Sequence, residues 1–204
     1  MIWDFLSWSA VSMIVATTLT LLLSRDWRWS LVALALQYLA VFILFLGNWP
    51  LTMSAAKLVT GWMAAATLGM TLANREDFIT AQSSRVFKFF LALVVIGSVW
   101  QGAGAMTNWI SVFRQGQDGA TGFPLLLASL LLIGLGMLQL GVTGEPFRVT
   151  LGLLTLLSGF ELLSSPLDNS ALVAALLAAV TLGIALIGSH LLVLNFDAQP
   201  EAAE

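Results

Sequence analysis

Hydrophobic positions in this chain fall into long, nearly unbroken stretches, and polar positions gather in the short segments between them. A helix needs about 20 apolar residues to cross about 30 Å of hydrocarbon. Seven stretches qualify: Ile2–Leu23, Ser30–Leu46, Leu51–Leu72, Val86–Met106, Phe123–Val142, Val149–Ser165 and Ser170–Leu194. The second and sixth are short. They join their successors through Gly47-Asn48-Trp49-Pro50 and Pro166-Leu167-Asp168-Asn169, which read as tight turns because proline and asparagine stop helices. Strands are excluded, since an open sheet cannot satisfy its backbone in lipid. The pattern predicts an all-α bundle of about seven transmembrane helices forming one integral membrane domain over residues 1–194, followed by an acidic tail, Asn195–Glu204.

Composition strengthens this reading. Of 204 residues, 59% are hydrophobic and only 9% charged, and mean hydropathy is +0.94. A soluble domain carries about 25% charged residues, so that class is excluded. The net charge of −3 offers nucleic acid no electrostatic footprint. The absence of cysteine excludes disulfides, thiolate metal sites and iron–sulfur ligation, and a single histidine excludes a histidine-rich zinc or haem site. No nucleophile–base–orienter set can be assembled, and the glycine pairs at 102–104 and 134–136 lie within apolar spans with no Gly-Lys-Ser/Thr after them. The expectation is no catalytic residues, no cofactor and no metal of the chain's own.

The first stretch has no basic segment before it and is too long for a signal-peptide core, so it is expected to remain as a membrane helix. One set of connections holds Arg25, Arg28, Arg75, Arg85, Lys88 and Arg148, while the other holds Arg114. The positive-inside rule then places the N-terminus outside and the acidic tail in the cytoplasm, in a multi-pass inner-membrane protein. Trp3, Trp49 and Trp109 would form the outer interfacial belt, and Trp27 and Trp29 the inner one.

Two stretches resemble each other. Arg28 to Leu36 reads against Arg148 to Leu156 at an offset of 120; further on, Pro50 matches Pro166, Ser54 matches Ser170, and Thr67-Leu68-Gly69 matches Thr181-Leu182-Gly183. Residues 1–72 would repeat as 123–194, with 86–106 as a linker helix. Four spans separate the copies, so the repeat is parallel rather than inverted.

Ionisable residues at membrane depth cost about 2.5–3.5 kcal/mol each on insertion scales, so each asks for a partner or a role. Lys57 lies six residues into the third stretch, roughly 9 Å deep at the helical rise. Glu161 lies five residues before Pro166, roughly 8 Å below the same surface. Their depths match, which makes a pair between the two repeats geometrically possible. Lys57 has the alternative of snorkelling to the headgroups, and Glu161 that of a buried structural acid. The functional alternative is a proton-relay carboxylate whose proton affinity is set by desolvation and a nearby cation. His190, near the inner end of the last span, is a third relay candidate, with helix-packing hydrogen bonding as its alternative. Gln37, Tyr38, Gln101 and Gln139 are polar residues suited either to interhelical hydrogen bonds or to a hydrated path.

The segment Arg148 to Leu163, with Gly159-Phe160-Glu161 within it, resembles the second helix of the small K subunit of respiratory complex I. In that family a basic residue opens the helix and a Gly-Leu-Glu sits inside it. The next helix, with Thr181-Leu182-Gly183-Ile184-Ala185, is similar to that family's third helix. The C subunit of multisubunit cation/proton antiporters shares the first feature. Over more of the chain, the seven-span layout, the basic first loop and Ser54-Ala55-Ala56-Lys57-Leu58-Val59 look like component E of hydrogenase-4 type membrane hydrogenases, an elongated relative carrying a lysine in the corresponding helix. The K subunit has a second intramembrane glutamate in its third helix, and here Ala179 takes that place.

The resemblance implies a non-catalytic membrane-arm subunit without its own cofactor, packed in the lipid bilayer against antiporter-like and other membrane-arm subunits. Glu161 would be its protonatable site, with Lys57 setting the proton affinity. Two other readings stay open: a structural or assembly subunit that transports nothing, and a small independent transporter built on the parallel repeat.

Overall fold

The computed structural model describes residues 2–73, 85–109, 122–167 and 170–197. The described residues form seven helices and no strand: α1 (Ile2–Leu23), α2 (Trp27–Phe45), α3 (Leu51–Ala73), α4 (Arg85–Trp109), α5 (Gly122–Val142), α6 (Pro146–Ser164) and α7 (Ala171–Asp197). Six of them are long and apolar enough to cross a membrane. The exception, α3, has 23 residues but is diluted by Lys57, Gly61, Ser54 and four threonines. The chain is a multi-pass helical membrane protein.

Helices α2 and α6 begin three residues earlier than the apolar pattern predicts. Pro146 opens α6, its fixed φ and missing N–H being harmless in a first turn. Asp26 and Glu145 occupy matching extended positions ahead of α2 and α6, at φ −85° and −72°. The sharp stop after α2 comes as expected at Gly47 to Pro50, where Trp49 N–H still donates to Phe45 O at 2.7 Å. Lys88, read from the sequence as a loop residue, falls in the first turn of α4. Hydroxyls inside the spans are mostly sealed on their own helix. Thr17, Thr60, Thr150 and Thr181 each donate to the carbonyl four residues back, which satisfies them without a partner in lipid.

The helices stand in two rows of three. In one, α1 packs on α2 and α2 on α3; in the other, α5 packs on α6 and α6 on α7. Across the rows α1 meets α5, α2 meets α6 and α3 meets α7, so each helix faces the one that matches it in the sequence repeat. Two tethers set the direction of α2 relative to α6. Trp49, just past α2, donates its indole N–H to the carbonyl of Ser165, just past α6. At the other end Arg148, in the first turn of α6, donates to the carbonyls of Leu21 and Ser24, just before α2. The two helices therefore run the same way.

Helices α5 and α6 approach each other backbone to backbone. A Cβ on Gly136 would come within 2.8 Å of the Leu156 backbone nitrogen, and one on Gly159 equally near that of Ile133. Small residues bring membrane helices into van der Waals contact where no hydrophobic force drives them together. Helix α4 lies beside α5 and α1 at one end of the rows, and it and α7 expose most of their apolar side chains, among them Phe87, Phe90, Leu172 and Ile187. Such faces suit lipid. Three apolar clusters fill the interior of the described residues, a small one around Leu22, Ala92 and Leu135 and two larger ones. One, at the Trp49 end, is built on Ile14, Phe45, Leu126 and Leu162; the other, at the Arg148 end, on Leu34, Leu68, Phe147 and Leu151. Arg75, Arg114, Asp168, Asn169 and residues 198–204 of the acidic tail lie outside the described residues, as do the side chains of Arg85 and Trp109.

Candidate functional site

Polar residues of α3 and α6 repeat at helical spacing on the faces those helices bury. On α3 the face carries Ser54, Lys57, Thr60, Gly61 and Ala64; on α6 it carries Arg148, Leu151, Thr155, Ser158 and Glu161. The spacing turns Lys57, in the second turn of α3, inward to meet Glu161, in the last turn of α6.

The ammonium of Lys57 donates to Glu161 Oε1 at 2.5 Å and to Thr181 Oγ1 of α7 at 2.8 Å. Thr181 can accept because its own proton goes to the Leu177 carbonyl. The pair is almost sealed, with 6% of Lys57 and 1% of Glu161 exposed. Lys57 thus turns into the bundle instead of snorkelling outward. Glu161 Oε2 makes no hydrogen bond. Three helices from both rows meet at this ion pair.

A cleft of about 330 Å³ opens between α3 and α7 beside it, with Lys57 and Glu161 in its wall. Apart from Thr52 the remaining wall is apolar: Trp49, Met53, Ala56, Ala174 and Ala178 among others. Alanine on both helices leaves this space, since larger side chains would fill it. Trp49 is therefore part of the cleft wall and not the interfacial belt residue its position suggested. It is buried, hydrogen-bonded to Ser165 and stacked on Phe45 at 4.5 Å between ring centroids. Trp3 and Trp29, by contrast, are exposed as belt residues should be.

Deeper in, Tyr38 of α2 lies beside Ser158 and within electrostatic range of Glu161. Its ring fits because residue 61 is glycine, and a Cβ there would overlap it. Both amide atoms of Gln37 and the Thr155 hydroxyl are buried without a hydrogen-bond partner. Each such group costs about 1–3 kcal/mol if left dry.

Arg148 is buried and serves a different purpose. It satisfies the last carbonyls of α1 and pairs with Glu145 at 3.4 Å, so it pins α6 to the end of α1. Gln139 joins this cluster through the Arg148 carbonyl. His190 is not brought to the ion pair. It is exposed and lies nine residues beyond Thr181 on α7, roughly 14 Å along the axis. Gln101 is also exposed, on α4. Thr181 as second partner of Lys57 was not legible from the sequence, where it stood out only as part of the repeat.

The arrangement holds one cation and one carboxylate in an apolar surround, with the carboxylate reachable from a cleft. Its chemical capacity is to keep a charge at membrane depth and to exchange a proton with whatever the cleft admits. No protein-family model, no curated protein and no solved structure matches this chain.

Proposed function

We propose that this chain is a non-catalytic membrane-arm subunit of a proton- or cation-translocating complex of the hydrogenase-4 or complex I kind, with Glu161 as its protonatable site and Lys57 as the neighbouring cation. The observation that carries this reading is the buried Lys57–Glu161 pair beside the cleft. Replacing a buried ion pair with well-packed apolar residues is often neutral or stabilising, so such a pair is poorly explained as glue. Intramembrane ionisable residues that pair with each other mark ion and proton pathways. The resemblance of Arg148 to Leu163 and of Ser54 to Val59 to subunits of such complexes points the same way.

The reading makes the protein a component and not a machine. Purified from native membranes in mild detergent, it should bring large antiporter-like subunits with it. Recovery alone, combined with robust transport by the isolated protein in liposomes, would contradict the proposal and favour an independent transporter.

Orientation belongs to the same proposal: N-terminus outside and C-terminus in the cytoplasm of the inner membrane, with Lys57 and Glu161 in the outer half. A reporter fused after Glu204 should read cytoplasmic and one inserted near Gly116 external. The opposite pair of readings would invert the topology and place the cleft on the cytoplasmic side.

A further inference from the structure

The ammonium of Lys57 has two acceptors of different kinds, Glu161 Oε1 and Thr181 Oγ1. Glu161 accepts as a charged carboxylate, and its pull on the ammonium weakens once it takes up a proton. Thr181 does not titrate, so its oxygen remains an acceptor whichever state Glu161 is in. The fold prepares it for that place. Its own proton goes to the Leu177 carbonyl at 2.8 Å, which leaves the hydroxyl oxygen to accept. Among the described residues Thr60 and Thr150 make the same backbone bond, and neither receives a charged side chain. Sealing the hydroxyl on its own helix therefore does not account for Thr181.

Thr181 is fully buried and lies at the closed end of the cleft. Leu177 and Ala178, just before it on α7, are still cleft wall. Ala185, one turn after it, belongs to the apolar core that also holds Ala64 and Leu68 of α3. No second charge competes at this depth. Lys57 is the one ionisable residue of α3, and α5 has none. Helix α7 has none before His190, α2 brings the Tyr38 hydroxyl beside Ser158, and on α6 the next ionisable residue is Arg148, roughly 20 Å back along the axis.

We propose that Thr181 is a positioning residue of this site: it holds the Lys57 ammonium inside the bundle while Glu161 is protonated, and so favours proton uptake by Glu161. The inference rests on the reading of Glu161 as the protonatable group. The proton arrives on the carboxylate and the ammonium keeps its three hydrogens, so uptake removes the counter-charge from a buried cation. With the hydroxyl in place, that cation keeps a fixed acceptor. Without it, the protonated state strands the ammonium in an apolar surround. The ionised state depends on the hydroxyl less, because the carboxylate itself satisfies the cation. Loss of the hydroxyl therefore penalises the protonated state more, and uptake moves to lower pH.

The test is an infrared pH titration of the full chain in detergent micelles, following the carboxylic acid C=O band of Glu161, identified by its loss in Glu161→Gln. Thr181→Val keeps the branched shape and removes the accepting oxygen, Thr181→Ala removes it without crowding, and Thr181→Ser keeps it. The midpoint of the band should fall by about one pH unit in the valine and alanine variants, the worth of one hydrogen bond to a charged group. The serine variant should titrate as the parent does. A structural tie between α3 and α7 would lower the thermal midpoint of the valine variant and leave its titration unmoved. That result would overturn the proposal, as would a serine variant displaced as far as the valine one. A Glu161 band that does not titrate in the parent would contradict the protonatable-site reading and this inference with it. A band that titrates in the parent and ignores Thr181→Val would remove this inference alone.

Discussion

Lys57→Met is expected to lower the thermal midpoint of the detergent-solubilised protein by on the order of 10 °C, and adding Glu161→Leu to recover most of the loss. Methionine keeps the apolar stem of Lys57 but removes the ammonium, leaving Glu161 buried without the cation that donates to its Oε1. Breaking a buried pair from one side costs about 3–5 kcal/mol because a charge is stranded, whereas replacing both partners by apolar groups is often neutral. The double-variant comparison separates the pair from simple loss of packing, since the second substitution helps only if it removes a stranded group. Circular dichroism melts of the parent, both single variants and the double variant supply the measurement. A parental midpoint for Lys57→Met would mean that the ammonium lives in the headgroups and that the contact with Thr181 and Glu161 is not populated.

Much of this architecture is legible in the residues. The seven apolar stretches are long enough that each can only be a helix in lipid, and Gly47 to Pro50 stops α2 where proline and glycine chemistry demands. The matched depths of Lys57 and Glu161 follow from helical rise and two prolines, so their meeting needed only that the bundle bring α3 and α6 within side-chain reach across its diagonal. That neighbourhood is what the pattern does not carry. Uniformly apolar helices such as α1 and α2 show no face to the reader, because lipid and protein interior have the same polarity. The two-row packing is set instead by local fits, such as Gly159 against Ile133 and Gly61 against Tyr38. Trp49 illustrates the same point: a tryptophan near a span end reads as a belt residue, yet here the cleft and Ser165 claim it. Thr181 was invisible as a lysine partner because nothing in its neighbourhood on α7 is charged.

The central claim is that Glu161 takes up and gives back a proton during ion translocation, and Glu161→Gln tests it most directly. Glutamine matches glutamate in shape, and its amide oxygen can still accept from Lys57, but the buried ammonium loses its counter-charge, so uptake is compared per assembled subunit. The amide cannot carry the exchangeable proton. The measurement is proton uptake by membrane vesicles containing the whole complex, with the level of this subunit checked by blotting. The account predicts uptake reduced to background at the parental level of assembled subunit; undiminished uptake at that same level would contradict it and leave the pair a structural device.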